Sequence, residues 1–396
     1  MRFLVAKVHA SRATQTNVHY QAVSDSPVSK CREIVMLTTV HDAIDVRIFH
    51  REAKTLKEAG FRVSIIAPHP VTERRDGILI DALPHPANRL KRLLLSRVVI
   101  ERARCHPGAL FIFHDPELLG VGIVLRILGE RVVYDCHENL PMQIFQKPWL
   151  PFILKWCLAP AAWLVEHVCS RLLTGVIVVG ETYAGRFPRK RTVVVRNFAL
   201  LGSIPDDGDV KPIGERRAVV IYAGGLSHIR GIAELVEAFI GLESVGAELW
   251  LVGAFDCEKF RLRILSSLPQ NVKWLGRRTY SEVLRLYKQA KIGAVLHCSA
   301  PNHRHAIPIK ILEYLAAGLP VVASNLPQFS DIVRDCGLQV DPHNVEEIRK
   351  AIRTLLSEDC RIAEMSKIAR DRAAKCYSWN TEGQKLVDFC CRVLSA

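Results

Sequence analysis

Residues 34–67 read IVMLTTVHDAIDVRIFHREAKTLKEAGFRVSIIA, and they decide the fold. Ile34–Thr39 is a short, mostly apolar run of the kind buried on both faces of a sheet. Val46, Phe49, Ala53, Leu56 and Ala59 then recur at three- and four-residue spacing, which predicts an amphipathic helix with Gly60 as its stop. Arg62–Ala67 returns as a strand. The stretch is a β–α–β unit, the building block of a parallel sheet.

The alternation continues outward. Further strands are expected at Leu110–Phe113, Arg131–Tyr134, Val176–Val179 and Val193–Val195. Residues 202–214, GSIPDDGDVKPIG, break every period and read as a linker. A second series follows at Ala218–Tyr222, Glu248–Val252, Val272–Leu275, Ile292–Leu296 and Val321–Ala323, and helices at 345–357 and 379–394 close the chain. The expected class is α/β, with two Rossmann-like parallel-sheet domains facing a central cleft. The expected divisions are a loose extension (1–32), a first domain (33–200), a linker (201–215), a second domain (216–378) and a terminal helix (379–396) packing back toward the first.

Composition narrows the partners. The chain has 396 residues, 49% hydrophobic and 24% charged, with net charge +14. That fits two cores, excludes disorder or a fibrous repeat, and points to an anionic partner. Twelve cysteines are scattered with no C-x-x-C, which argues for apolar core thiols in a reducing compartment rather than a zinc ribbon or disulfide framework. With no signal-peptide pattern at the N-terminus, a cytoplasmic location is expected. Nucleic acid is not expected, since no recognition module accompanies the charge. Two segments of the first half are basic and apolar. Residues 88–104, NRLKRLLLSRVVIERAR, carry six Lys/Arg against one Glu, and residues 147–168 carry Trp149, Phe152, Trp156 and Trp163. Pro148, Pro151, Pro160 and Lys155 make the latter a poor membrane span. It reads either as an interfacial segment on an anionic membrane or as a buried helix whose aromatics are core.

Three groups of residues can carry chemistry. Residues 305–318 read HAIPIKILEYLAAG, where Lys310 and Glu313 are the charges of an otherwise apolar helix. A first-turn lysine can meet a phosphate and a carboxylate can accept sugar hydroxyls; the alternative is an ion pair on an exposed edge. Residues 222–231, YAGGLSHIRG, end a strand in Gly224 and Gly225 and open a helix at Arg230, so that backbone amides and a guanidinium can approach an anion; a plain tight turn looks the same. His114 and Asp115, with His137 and Glu138, sit at predicted strand ends, where open α/β sheets place ligands. A metal at His297, Cys298, His303 and His305 is a weaker rival, and no metal is expected.

Together these segments resemble the family 4 glycosyltransferases of the GT-B fold, over residues 33 to 394. His305-x7-Glu313 stands where that family has E-x7-E, followed by EYLAAGLPVVAS. HDPELL (114–119), YDCHE (134–138) and GG…RGI (224–232) match one branch of it. The resemblance implies a retaining enzyme that uses a nucleotide-diphosphate sugar, needs no cofactor or divalent metal, and acts on a saccharide or lipid-linked acceptor at the cytoplasmic membrane face, in polysaccharide or glycolipid synthesis. It implies that Glu313 holds the ribose and that Lys310 and Arg230 hold the diphosphate, beside Gly224, Gly225, His305 and Ile309. His114 and Asp115 would lie by the transferred sugar, and Arg47, His137 and Glu138 would face the acceptor. Asp45 shares the first strand–helix loop with Arg47. His305 for Glu, and Gly225 where many members have Arg, depart from the family pattern. A degenerate nucleotide-sugar-binding protein and another GT-B enzyme, such as an epimerase, are the alternatives.

Overall fold

The computed structural model describes residues 32–86, 88–137, 140–146, 150–201, 211–298 and 307–395. Its strands form two sheets. The first runs β3-β4-β2-β1-β5-β6-β7-β8, with β1 Glu33–Leu37, β2 Arg62–Pro68, β3 Glu73–Arg75, β4 Ile78–Leu83, β5 Leu110–Phe113, β6 Arg131–Cys136, β7 Gly175–Val178 and β8 Thr192–Val194. The second runs β11-β10-β9-β12-β13-β14, with β9 Val219–Ala223, β10 Glu248–Val252, β11 Val272–Gly276, β12 Ile292–Val295, β13 Val321–Ser324 and β14 Gly337–Val340. Neighbouring strands are parallel, β3–β4 excepted. Strand order reverses beside β1 and beside β9, so ligands are expected outside the carboxyl ends of β1, β5, β9 and β12.

Within the described residues the expected α/β class holds, and most strands lie within two residues of their expected ends. Three strands escaped the reading: the short β3, β4 and β14, whose half-exposed residues dilute the apolar signal. The helix Asp359–Cys376 was also missed. The 46–59 helix is real but begins as a π-helix, Val46–Ala53, before Lys54–Glu58 continues as α. Ordinary α winding would swing Glu52 well round the axis from Arg47. The wider i→i+5 turn brings both, with Arg51, to the inward side, where all three are buried. The expected interruption of 147–168 is corrected. Pro160 lies inside one helix, Phe152–Leu172, and the aromatics Phe152, Trp156 and Trp163 are exposed rather than core. The expected extension falls outside the described residues up to position 31, as does 202–210 of the linker. Eleven of the twelve cysteines are described, and all eleven are free thiols.

The C-terminal helix Trp379–Ser395 lies on the first sheet, where Leu386, Phe389 and Cys390 join the core of β1, β2 and β5. Trp379, fully buried, donates from its indole nitrogen to Thr55 Oγ1 (2.9 Å), and its amide bonds Ala199 O (2.9 Å). Glu382 accepts from the amide of Arg196 (2.7 Å). The last helix thus clamps the first helix to residues 196–199, the connector that leaves the first sheet. Trp379→Ala is expected to cost roughly 3–5 kcal/mol, read as a lower urea midpoint with a lowered melting temperature; an unchanged midpoint would remove this residue from the clamp.

Candidate active site

The second sheet supplies a cationic cradle. β9 ends in Tyr222-Ala-Gly-Gly, and Gly224 has φ +136°, a conformation that a side chain would strain. A Cβ at Gly224 would lie 2.7 Å from Lys310 Nζ and 3.8 Å from Arg230 Nη1; one at Gly225 would lie 2.6 Å from Arg230 Nη1. Missing side chains therefore open the space that two cations approach. Lys310 comes from the helix Ile309–Ala316, entered through Pro308, and donates to the Tyr222 hydroxyl at 2.6 Å. Arg230 donates to Gly225 O at 2.9 Å. Burial, then the nearby Arg230 charge, hold the Lys310 amine well below the usual range. This lysine's charged form lacks the anion that would stabilise it.

Glu313, one turn on, is also buried. Burial raises its pKa, against the pull of Arg51. Arg51 reaches it from the first half at 3.4 Å and Tyr287 OH at 3.3 Å. Arg51 also donates to Phe198 O (2.9 Å) and Asn197 Oδ1 (3.0 Å). The exposed-edge ion pair weighed for Lys310 and Glu313 is thereby corrected: both face inward, each bonded to other groups.

The first sheet supplies a buried carboxylate network. Arg47 grips Asp135 with Nε and Nη2, both at 2.8 Å. His114 Nδ1 lies 2.9 Å from the same carboxylate and His137 Nδ1 3.6 Å. Burial opposes the Asp135 charge, but Arg47 and the two histidines outweigh it and hold the carboxyl well below the usual range. Burial lowers the His114 pKa, against Asp135. Since a charged carboxylate only accepts, His114 donates from Nδ1 and its Nε2 is bare, 4.0 Å from Glu52 Oε2. Burial, reinforced by Asp135, raises the Glu52 pKa well above the ordinary value.

A cleft of about 630 Å³ joins the two halves. Arg47, Arg51 and His137 line it from the first; Gly224, Arg230, Ile309, Lys310 and Glu313 line it from the second. Gly225 lines an adjoining pocket beside Arg277 and Arg278. His114 and Asp115 are both buried beneath the cleft and do not line it. Asp115 holds the loop after β1, accepting from Thr38 Oγ1 (2.9 Å), Thr39 N (2.5 Å) and Val40 N (3.1 Å). Glu138, His303 and His305 lie outside the described residues. Arg51, Asp135 and the cleft-lining Tyr280 and Tyr287 were not foreseen. Asp135 stood inside the quoted YDCHE run, and Arg51 lies four residues after Arg47, so spacing offered a hint for these two alone.

The ligand atoms of His114, Asp135 and His137 lie within 4.8 Å of one another, a grouping that could hold a metal ion. The Arg47 guanidinium fits that idea poorly: it already occupies both Asp135 oxygens and puts a fixed positive charge where the ion's would be. The cluster is a hydrogen-bond network that positions Arg47 and His137.

Residues 217–358 match the family model described as glycosyl transferases group 1. The match covers a little over a third of the chain and lies wholly within the second sheet's part of it. The GDP-mannose-dependent monoacylated alpha-(1-6)-phosphatidylinositol monomannoside mannosyltransferase of Corynebacterium glutamicum is 28% identical over 146 residues, 36% of this chain and 38% of that protein. The glycogen synthase of Mycobacterium tuberculosis is 25% identical over 174 residues, 41% and 40%. The chain thus spans about two fifths of the length of these curated relatives. The solved sucrose-phosphate synthase of Thermosynechococcus elongatus superposes over 92% of this chain and 99% of its own, with TM-score 0.72 and 18% identity. The fold of the chain is GT-B.

Asp135→Asn leaves Arg47 beside a neutral amide, with the buried Glu52 carboxyl 2.9 Å from its Nε as the remaining acidic neighbour, and is expected to cost about 1.5–3 kcal/mol in urea unfolding. Because the folded Asp135 pKa is depressed, its stabilisation is full above the unfolded value near 4 and fades as pH falls through the folded one. The variant should therefore show a flatter loss of stability below about pH 4; equal slopes would deny the network its charge.

Proposed function

We propose that the protein transfers a sugar from a nucleotide-diphosphate sugar to a hydroxyl of a saccharide or lipid-linked acceptor, with retention of configuration and without a divalent metal, in glycan or glycolipid synthesis. The observation that carries this reading is the convergence of Lys310 and Arg230 on side-chain-free Gly224 and Gly225, one helical turn from buried Glu313. A diphosphate is the anion that needs two cations and bare backbone at once. The Glu313 carboxylate, whose present contacts are long, accepts the ribose hydroxyls. A solved neighbour, the Anabaena protein HepE, is described in complex with UDP and glucose, which supports a nucleotide donor.

The chemistry follows from charge. Cleavage of the bond between the anomeric carbon and the phosphate oxygen sends its electron pair to the diphosphate and leaves an oxocarbenium-like sugar. Lys310 and Arg230 stabilise the departing charge in a partly dry site, where such contacts count for most. The acceptor oxygen bonds the anomeric carbon on the face just vacated, and its proton passes to the leaving diphosphate. No side-chain nucleophile is required. Arg47 and His137, fixed through Asp135, orient the acceptor side.

A thermal-shift screen with UDP-, GDP-, ADP- and TDP-sugars, followed by turnover with the stabilising donor in EDTA, tests the proposal. One donor should stabilise and EDTA should leave turnover intact. Lys310→Ala should lose roughly tenfold or more in turnover, as expected for one charge-assisted phosphate contact of about 1.5–3 kcal/mol. No stabilising donor, or an undiminished variant, would sink this reading.

The depressed Lys310 pKa makes a second prediction. An amine whose proton is disfavoured in the empty cleft regains it beside a diphosphate, so binding takes up protons and weakens as pH rises. Calorimetry of nucleotide diphosphate binding in buffers of different ionisation enthalpy should show this uptake, and Lys310→Met should abolish it. A buffer-independent heat would mean that the lysine is already charged.

A further inference from the structure

The helix Phe152–Leu172 is built inside out. Its buried stripe is Ala159, Glu166 and Ser170, two of them polar. Glu166 accepts there from Tyr134 OH (3.2 Å) and Cys136 Sγ (3.7 Å) and pairs with Arg186. The opposite side carries Ile153, Leu164, Val168 and Leu172, 79%, 55%, 48% and 55% exposed, with Trp156 also bare. A helix on a water-facing surface has the reverse arrangement. Turning this one over would pull Glu166 from its partners, so the apolar side is held outward.

The surroundings are basic. The helix packs on Leu119–Ile127, which exposes Ile127 and is followed by exposed Leu128, and that helix packs on Arg89–Ala103, which exposes Leu93 and Leu94. Arg126 bonds Leu172 O (3.3 Å) and Arg191 bonds Arg171 O (3.0 Å), which sets a cluster of Arg171, Arg189, Lys190 and Arg191 at the end of the apolar side. The helix's one acid, Glu166, is the buried one.

We propose that this face docks on the anionic leaflet of a lipid bilayer, with the Phe152–Leu172 helix lying along the surface. Apolar side chains enter the acyl boundary, indoles sit at headgroup level, and the arginines and lysine meet lipid phosphates. At 21 residues the helix is long and apolar enough to cross a membrane, but the Glu166–Arg186–Tyr134 contacts hold it sideways against β6. Charge selects the occupant: a second copy would bring the same basic cluster against this one, whereas an anionic leaflet complements it. The inference stands on surface geometry alone and is independent of the transferase reading.

Co-sedimentation of the full chain with vesicles of phosphatidylcholine, with and without phosphatidylglycerol, tests it. The protein should pellet with the anionic vesicles, be released by high salt, and show a blue-shifted tryptophan emission on binding. The triple variant Ile153→Ser/Leu164→Ser/Val168→Ser should keep its circular dichroism and melting temperature, because the replaced side chains are exposed, yet bind at least about tenfold more weakly. Absence of pelleting with anionic vesicles, or variant binding equal to the parent's, would overturn the proposal. Pelleting that resists both salt and alkaline carbonate would overturn it in favour of a spanning helix. A dimer lost in the triple variant, without vesicle binding, would assign the face to a second copy.

Discussion

A charge buried where two sheets meet is the constraint on which this molecule turns. Arg51 is almost wholly enclosed, and its guanidinium can be kept there only by acceptors on every side. It finds them in two distant parts of the chain: Phe198 and Asn197 of the connector and Glu313 of the second sheet's helix. Ordering one side chain thus fixes the first helix, the link and the Glu313 carboxylate together. The unusual winding of Val46–Ala53 serves the same end by presenting Arg47, Arg51 and Glu52 inward at once.

The two walls of the cleft follow opposite electrostatic designs. On the first sheet the negative charge of Asp135 is already matched, by Arg47 and two histidines. On the second, Lys310 and Arg230 crowd each other near bare glycine backbone with only neutral oxygens to bond. The first wall positions; the second is short of an anion. That asymmetry is what the proposed division into an acceptor-facing and a donor-facing wall rests on.

The apolar helix on the outer surface obeys the same rule in reverse. Its polar groups are drawn inward because Tyr134, Cys136 and Arg186 can satisfy them, and its apolar groups remain outside. Buried polarity costs its hydrogen bonds to water unless it finds partners, and exposed apolarity costs the hydrophobic gain of burial; the fold meets the first cost here with Tyr134, Cys136 and Arg186.

The amino-acid sequence alone determined the alternation of buried strands and helices, because strands covered on both faces must be apolar along their length and leave an unmistakable run. It also marked Lys310, Glu313, Gly224 and Arg230, since charges in an apolar helix and paired glycines after a strand stand out locally. What it could not show were partnerships across hundreds of residues. Arg51 with Glu313, Arg47 with Asp135 and Trp379 with Thr55 join residues whose neighbours in sequence give no sign of each other. Only the tertiary structure decided that Asp115 holds a loop rather than the cleft, and that the 152–172 helix turns its apolar side to the outside. A periodicity shows that a helix has two faces, but which face is inward depends on what the rest of the fold offers it.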